Sequence, residues 1–167
     1  MTKNKEQMAE PQEHRVIKLN EGSAKARKSA ARLAAVQVLY QMDMNEQGAK
    51  LALKDFIDHR IGFDLDGDVF VPADQDLLTK IIMGIHDRRE DIEQIVNDAL
   101  AQGGHEGIEQ LIQDILYAGV YELLAHSDID KGIIISDYLN VSHAFYEGGE
   151  PKLVNAILDK VGKSVRD

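Results

Sequence analysis

Apolar residues recur along most of the chain at three- and four-residue spacing, the period of a helix buried on one side. The richest run covers residues 25–42, where Leu33, Ala34, Ala35, Val36, Val38, Leu39, Tyr40 and Met42 leave almost no polar face. A helix apolar nearly all round is packed against from several directions, so this one is expected at the centre of the fold. Ser23 is placed to cap it, and it should run to about Met44. After Gly48, the positions Leu51, Leu53, Phe56 and Ile57 predict a short second helix ending near Arg60. Residues 62–73 read as a loop broken by Gly67 and Pro72. A third helix, capped by Asp74 or Asp76, carries Leu77, Leu78, Ile81, Ile82, Ile85, Ile92, Ile95, Val96 and Ala99 to about Ala101. Gly103 and Gly104 stop it. A fourth has Ile108, Leu111, Ile112, Ile115, Gly119, Val120 and Leu123 on one face. A fifth has Ile134, Ile135, Tyr138, Leu139, Val141 and Phe145. A sixth starts near Pro151, which suits a first turn, and carries Leu153, Val154, Ile157, Leu158 and Val161. No alternating strand pattern of useful length occurs. The expectation is an all-α protein: a flexible polar arm over 1–22, then a helical domain over 23–167. The Gly-Gly joint would divide that domain into subdomains of about 23–102 and 105–167.

Charge changes this picture. The chain has a formal net charge of −10, yet residues 1–32 hold eight Lys/Arg against four Glu, and the remainder eleven against 25 acids. A basic arm on an acidic body suits two partners of opposite charge. Lys25, Arg27, Lys28 and Arg32 occupy the first turns of the first helix, where cations oppose the helix dipole by a few tenths to about 1 kcal/mol each when exposed. An anion there would compensate, and helix N-termini bind phosphate. Single-stranded RNA is held by such cations along its backbone and by aromatics that stack on bases. Spacing alone reaches as far as a helical RNA- or protein-binding module.

Enzyme chemistry finds little footing. No Cys occurs, which excludes disulfides and thiolate metal sites. The scattered glycines form no phosphate loop or dinucleotide fingerprint. His86 and Glu90, four apart, lack a second His to make a metal site. Asp64, Asp66 and Asp68 resemble a calcium loop, but Val69 and Gln75 stand where an EF-hand needs Gly and Glu. Neither a membrane-spanning run nor a signal-peptide core is visible, so the expectation is a cytoplasmic protein without cofactor, metal or catalytic residue.

Three stretches resemble a known family. Residues 32–41, RLAAVQVLYQ, are similar to the first-helix signature of the NusB family of bacterial transcription antitermination factors. Ile115-Leu116 with Tyr121-Glu122-Leu123 resembles that family's fourth-helix motif, and residues 153–160, LVNAILDK, its last-helix motif. They occur in the family's order, over about residues 24–163. The resemblance implies two packed three-helix bundles and binding to the boxA element of ribosomal RNA transcripts. It also implies a heterodimer with ribosomal protein NusE, docked on the RNA polymerase elongation complex. It carries RNA contact over to Lys25, Arg27, Lys28 and Arg32, with Gln37 and Tyr40 close by. Partner contact falls to the acidic Glu109, Asp114 and Glu122. This chain departs from the family pattern at Leu153, where Phe is usual, at Ser136-Asp137, where Asn-Glu is usual, and at Tyr117, where Arg is usual. Ile112 and Asp114 look exchanged in character. Two alternatives stay open. One is a pure protein–protein adaptor or homodimer with an idle basic arm. The other is the helical recruitment module of a ribosomal RNA cytosine methyltransferase, although the 167 residues hold no glycine-rich cofactor loop.

Overall fold

The computed structural model describes residues 22–60 and 71–166. Seven helices build it: α1 Ala24–Asn45, α2 Ala49–His59, α3 Gln75–Asp87, α4 Arg89–Gln102, α5 Gln110–Ala125, α6 Lys131–Phe145 and α7 Glu150–Arg166. No strand occurs among the described residues, as the periodicity predicts. The arm up to residue 21, with Arg15 and Lys18, and the loop of Asp64, Asp66 and Asp68 lie outside the described residues.

Local chemistry sets the helix starts. The Ser23 hydroxyl accepts the Ala26 N–H at 3.0 Å, and of the two candidate caps for α3 it is Asp74 that accepts the Leu77 N–H, at 3.0 Å. Such caps contribute about 1 kcal/mol each. One expectation needs correcting: the long third helix is two helices. At Arg88 the backbone turns to φ −118° and ψ 23°, and its N–H is shared by the carbonyls of Gly84 and Ile85 at 3.1 and 3.2 Å. The break lets α3 lie on α1 and α2 while α4 lies on α5 and α7. It also puts His86 and Glu90 on different helices, both exposed.

A second correction concerns the centre. α1 packs on α2, α3, α5 and α6, but α5 touches α1, α3, α4, α6 and α7. Every residue of α5 from 114 to 123 is buried. Two glycines permit the close approaches this requires. A Cβ on Gly84 of α3 would lie 2.1 Å from the Tyr121 ring, and one on Gly119 of α5 would lie 2.8 Å from Leu158 of α7. One continuous apolar cluster joins the α1–α3 and α5–α7 groups. At the end of α7, Arg166 donates to the carbonyls of Glu122, Leu123, His126 and Ile129. These are carbonyls of the α5 C-terminus and the following turn, of which those of Glu122 and His126 also accept the N–H groups of His126 and Ile129 at 2.9 and 3.0 Å.

Candidate nucleic-acid interface

The N-terminal turns of α1 meet α6, and the side chains there divide sharply by depth. Arg32 faces inward and is only 3% exposed. Its Nε donates to Glu122 Oε2 at 2.8 Å, its Nη2 to Glu122 Oε1 at 3.1 Å, and its Nη1 to Asp137 Oδ2 at 2.6 Å. Glu122 is wholly buried and also accepts the Tyr138 hydroxyl at 2.5 Å, while His126 Nδ1 lies 2.9 Å away. Burial alone would raise the Glu122 pKa, but hydrogen bonds from His126, Arg32 and Tyr138 outweigh it and hold the carboxyl below its ordinary range. Burial likewise opposes the Arg32 charge, and Glu122 and Asp137 more than reverse that. Asp137 reaches Arg32 and also accepts the Ser29 hydroxyl at 2.9 Å.

The expectation that Arg32 meets RNA directly is therefore corrected. Its guanidinium is consumed within the chain, tying α1 to α5 and α6. Lys25 and Lys28 differ. Both are exposed, and neither forms an ion pair with a described residue. They rim a groove of about 640 Å³ whose floor is Ser29, Arg32 and Asp137 and whose far wall is α6, with Ser136 and Asn140. Asp130 and the exposed Ile133 close one end. Arg27 lies off this groove, half-buried, with its carbonyl accepting the Asp74 N–H at 2.9 Å.

Gln37 and Tyr40 lie further along α1. They line a second groove, of about 560 Å³, with Gln41, Met44, Arg60, Leu111 and Phe145. Tyr40 is 37% exposed and Met44 55%. Both grooves are lined by α1, the first at its N-terminal turns and the second at its C-terminal turns, but α6 gives the second only its last residue, Phe145. Lys28 and Tyr40 stand about 18 Å apart along the helix axis.

The acidic residues assigned to a protein partner also divide. Glu109 is exposed just before α5, beside Tyr146, whose phenol is pushed up to about 12 by burial and by Glu109. Asp114 and Glu122 are wholly buried, which corrects their assignment as direct contacts. Glu122 belongs to the Arg32 network. Asp114 belongs to a second interior cluster, where the Gln110 amide donates to Asp114 Oδ1 at 3.2 Å and to Asp43 Oδ2 at 3.0 Å. Burial and the neighbouring Asp43 push the Asp114 pKa up to about 8. Its Oδ2 has no hydrogen-bond partner unless the carboxyl keeps its proton and donates to Asp43. Tyr117 is buried, with the Arg89 guanidinium 5.3 Å from its ring centroid.

Sequence reading missed Ser29, Ser136, Asn140 and Arg60 as groove residues. For the α6 residues the signal was weak, since the hydrogen bonds that join α6 to α1 link Asp137 to Ser29 and Arg32, 108 and 105 positions away.

Comparison with known proteins places this architecture. The model of the NusB family matches residues 29–163. The chain is 41% identical over 145 residues to a transcription antitermination protein NusB of Novosphingobium aromaticivorans, covering 86% of this chain and 97% of that one. It is 37% identical over 150 residues to the protein of that name from Rhizobium rhizogenes, covering 88% and 94%. Among solved structures, T. maritima NusB superposes with a TM-score of 0.66 at 18% identity, over 87% of this chain and 94% of that one. A complex of the antitermination factors NusB and NusE with double-stranded RNA contains a chain that also superposes at 0.66, with 20% identity, over 85% and 99%. No described helix is long and apolar enough to cross a membrane.

Proposed function

The chain belongs to the NusB family, and on that footing we propose that it is a transcription antitermination factor that binds boxA RNA together with NusE. The observation that carries the RNA part is the pair Lys25 and Lys28, exposed and without ion-pair partners among the described residues, on the rim of a groove. In a chain of net charge −10, two such cations at a helix N-terminus make a local site for a polyanion. Ser29, Ser136 and Asn140 in the same groove supply neutral hydrogen-bonding groups for sugar or base edges. Arg32 has a positioning role: it fixes Asp137 and Ser29 in the floor. Arg27, half-buried beside the groove, adds charge.

A NusE-like partner would meet the acidic body, with Glu109 the contact residue on the surface. The partner complex docks on an RNA polymerase elongation complex, and self-association is the competing state of the free protein. The solved complex of NusB and NusE with double-stranded RNA supports this reading, as does the relatives' name.

The test is a titration of labelled boxA RNA at several salt concentrations, with and without NusE. Lys25→Ala with Lys28→Ala should lower the salt slope by about 1.4, two contacts at about 0.7 each for a single strand. Binding by the unaltered protein that ignores both salt and RNA sequence would end the proposal.

A further inference from the structure

The second groove holds a cation that neither the motifs nor the basic arm pointed to. Arg60 follows α2, is exposed, and lines that groove with Gln37, Tyr40, Met44 and Phe145. Its guanidinium lies 5.2 Å from the centroid of the Phe56 ring. Phe56 is buried in the core, so the ring is a fixed platform for the planar cation. The acids of α2 are engaged elsewhere. Asp55 accepts the Gln41 amide at 3.1 Å and sits 3.5 Å from His59 Nε2, and Asp58 pairs with Lys54 at 3.2 Å. Arg60 itself has no carboxylate within ion-pair distance among the described residues. Its fork is thus held by stacking, with its donors unsatisfied by any acid among the described residues.

Across the groove stands Tyr40, with more than a third of its surface open, and Met44 beside it. A planar cation and an open aromatic ring lining one groove match a nucleotide, with phosphate on the fork and base on the ring. We propose that Arg60 is a backbone-phosphate contact that carries single-stranded RNA beyond the Lys25–Lys28 groove and across the Tyr40 groove. This rests on the RNA-binding reading above. Two features argue for RNA over an acidic protein segment as the occupant. One is the placement of both grooves on a single helix, α1, whose N-terminal turns line the first and whose C-terminal turns line the second. The other is the aromatic surface, which a carboxylate would not use.

The experiment compares full-length protein, Arg60→Ala, Arg60→Lys and the Lys25→Ala, Lys28→Ala double variant. Anisotropy of a labelled single-stranded boxA RNA is read between about 50 and 200 mM salt. Arg60→Ala should lower the slope by about 0.7 and weaken binding several-fold at the low-salt end. Arg60→Lys keeps the charge and should restore the slope. A 2-aminopurine base quenched by Tyr40 in the unaltered protein should brighten in Arg60→Ala. If the double variant weakens binding while Arg60→Ala leaves slope, affinity and quenching unchanged, this inference falls and the RNA-binding reading stands. If Arg60→Ala alone changes the slope, the inference stands and the first groove loses its role. If the unaltered protein does not bind the RNA, both fall. Unchanged RNA binding with loss of affinity for an acidic peptide would assign the groove to a protein.

Discussion

Removing the Arg32 side chain would leave two interior carboxylates without their cation. Glu122 is wholly buried and Asp137 is 8% exposed, and Arg32 supplies three of their hydrogen bonds at 2.6–3.1 Å. Breaking a buried ion pair from one side costs about 3–5 kcal/mol, because the remaining charge stays in a poor solvent. For a chain of this size that corresponds to a fall in melting temperature on the order of 10 °C. Urea unfolding of Arg32→Ala against the unaltered protein measures it directly. Arg32→Lys should fall between the two, since an ammonium cannot span Glu122 and Asp137 as the fork does. The pH dependence gives a second reading. Glu122 has a depressed pKa in the fold, so its contribution is complete above the unfolded value and fades as pH drops toward the folded one. The gap between Arg32→Ala and the unaltered protein should therefore narrow in acid, below about pH 4. A loss under about 1 kcal/mol at neutral pH, the range of exposed pairs, would refute the reasoning and return Arg32 to the surface.

The remaining predictions use the same measurements. Asp114 keeps its proton in the fold up to about pH 8, while the unfolded chain sheds it near 4. Stability should thus decline as pH rises through that window. Asp114→Asn, which preserves the donor to Asp43, should flatten the decline and gain a few kcal/mol at pH 7; parallel pH profiles would sink this account. Gly84→Ala should cost about 1–3 kcal/mol, because its Cβ meets the Tyr121 ring at 2.1 Å. An unchanged urea midpoint would show that Tyr121 moves freely. Lys25→Ala with Lys28→Ala should leave stability within about 0.5 kcal/mol while weakening RNA binding, and a larger loss would mean that these lysines are structural.

The helices were legible in the hydrophobic spacing because each buries a stripe of its own. The bend at Arg88 was not. The polar residues 86–91 fit the open face of one long helix as well as they fit a turn, and neither Gly nor Pro marks the change. Lys28 and Arg32 stand four apart on one face and look alike in sequence. What separates them is a pair of carboxylates 90 and 105 positions away. A clue did exist in Glu122 itself, a charge flanked by Val120, Tyr121, Leu123 and Leu124 on a helix apolar all round. Such a residue needs an interior counter-charge more than it needs a partner protein. The family resemblance pointed to α1 for RNA, and the geometry separates its exposed lysines from the arginine spent inside the fold.

Arg166 gives the far end of α7 a hold on the turn that leads into α6, and α6 is one wall of the Lys25–Lys28 groove. A tag, fusion or clipping event that disturbs the last helical turn would thus be felt at a surface set by residues about thirty positions earlier, without touching it. Engineers attaching reporters to this protein should expect the carboxyl side of α7 to be the sensitive handle.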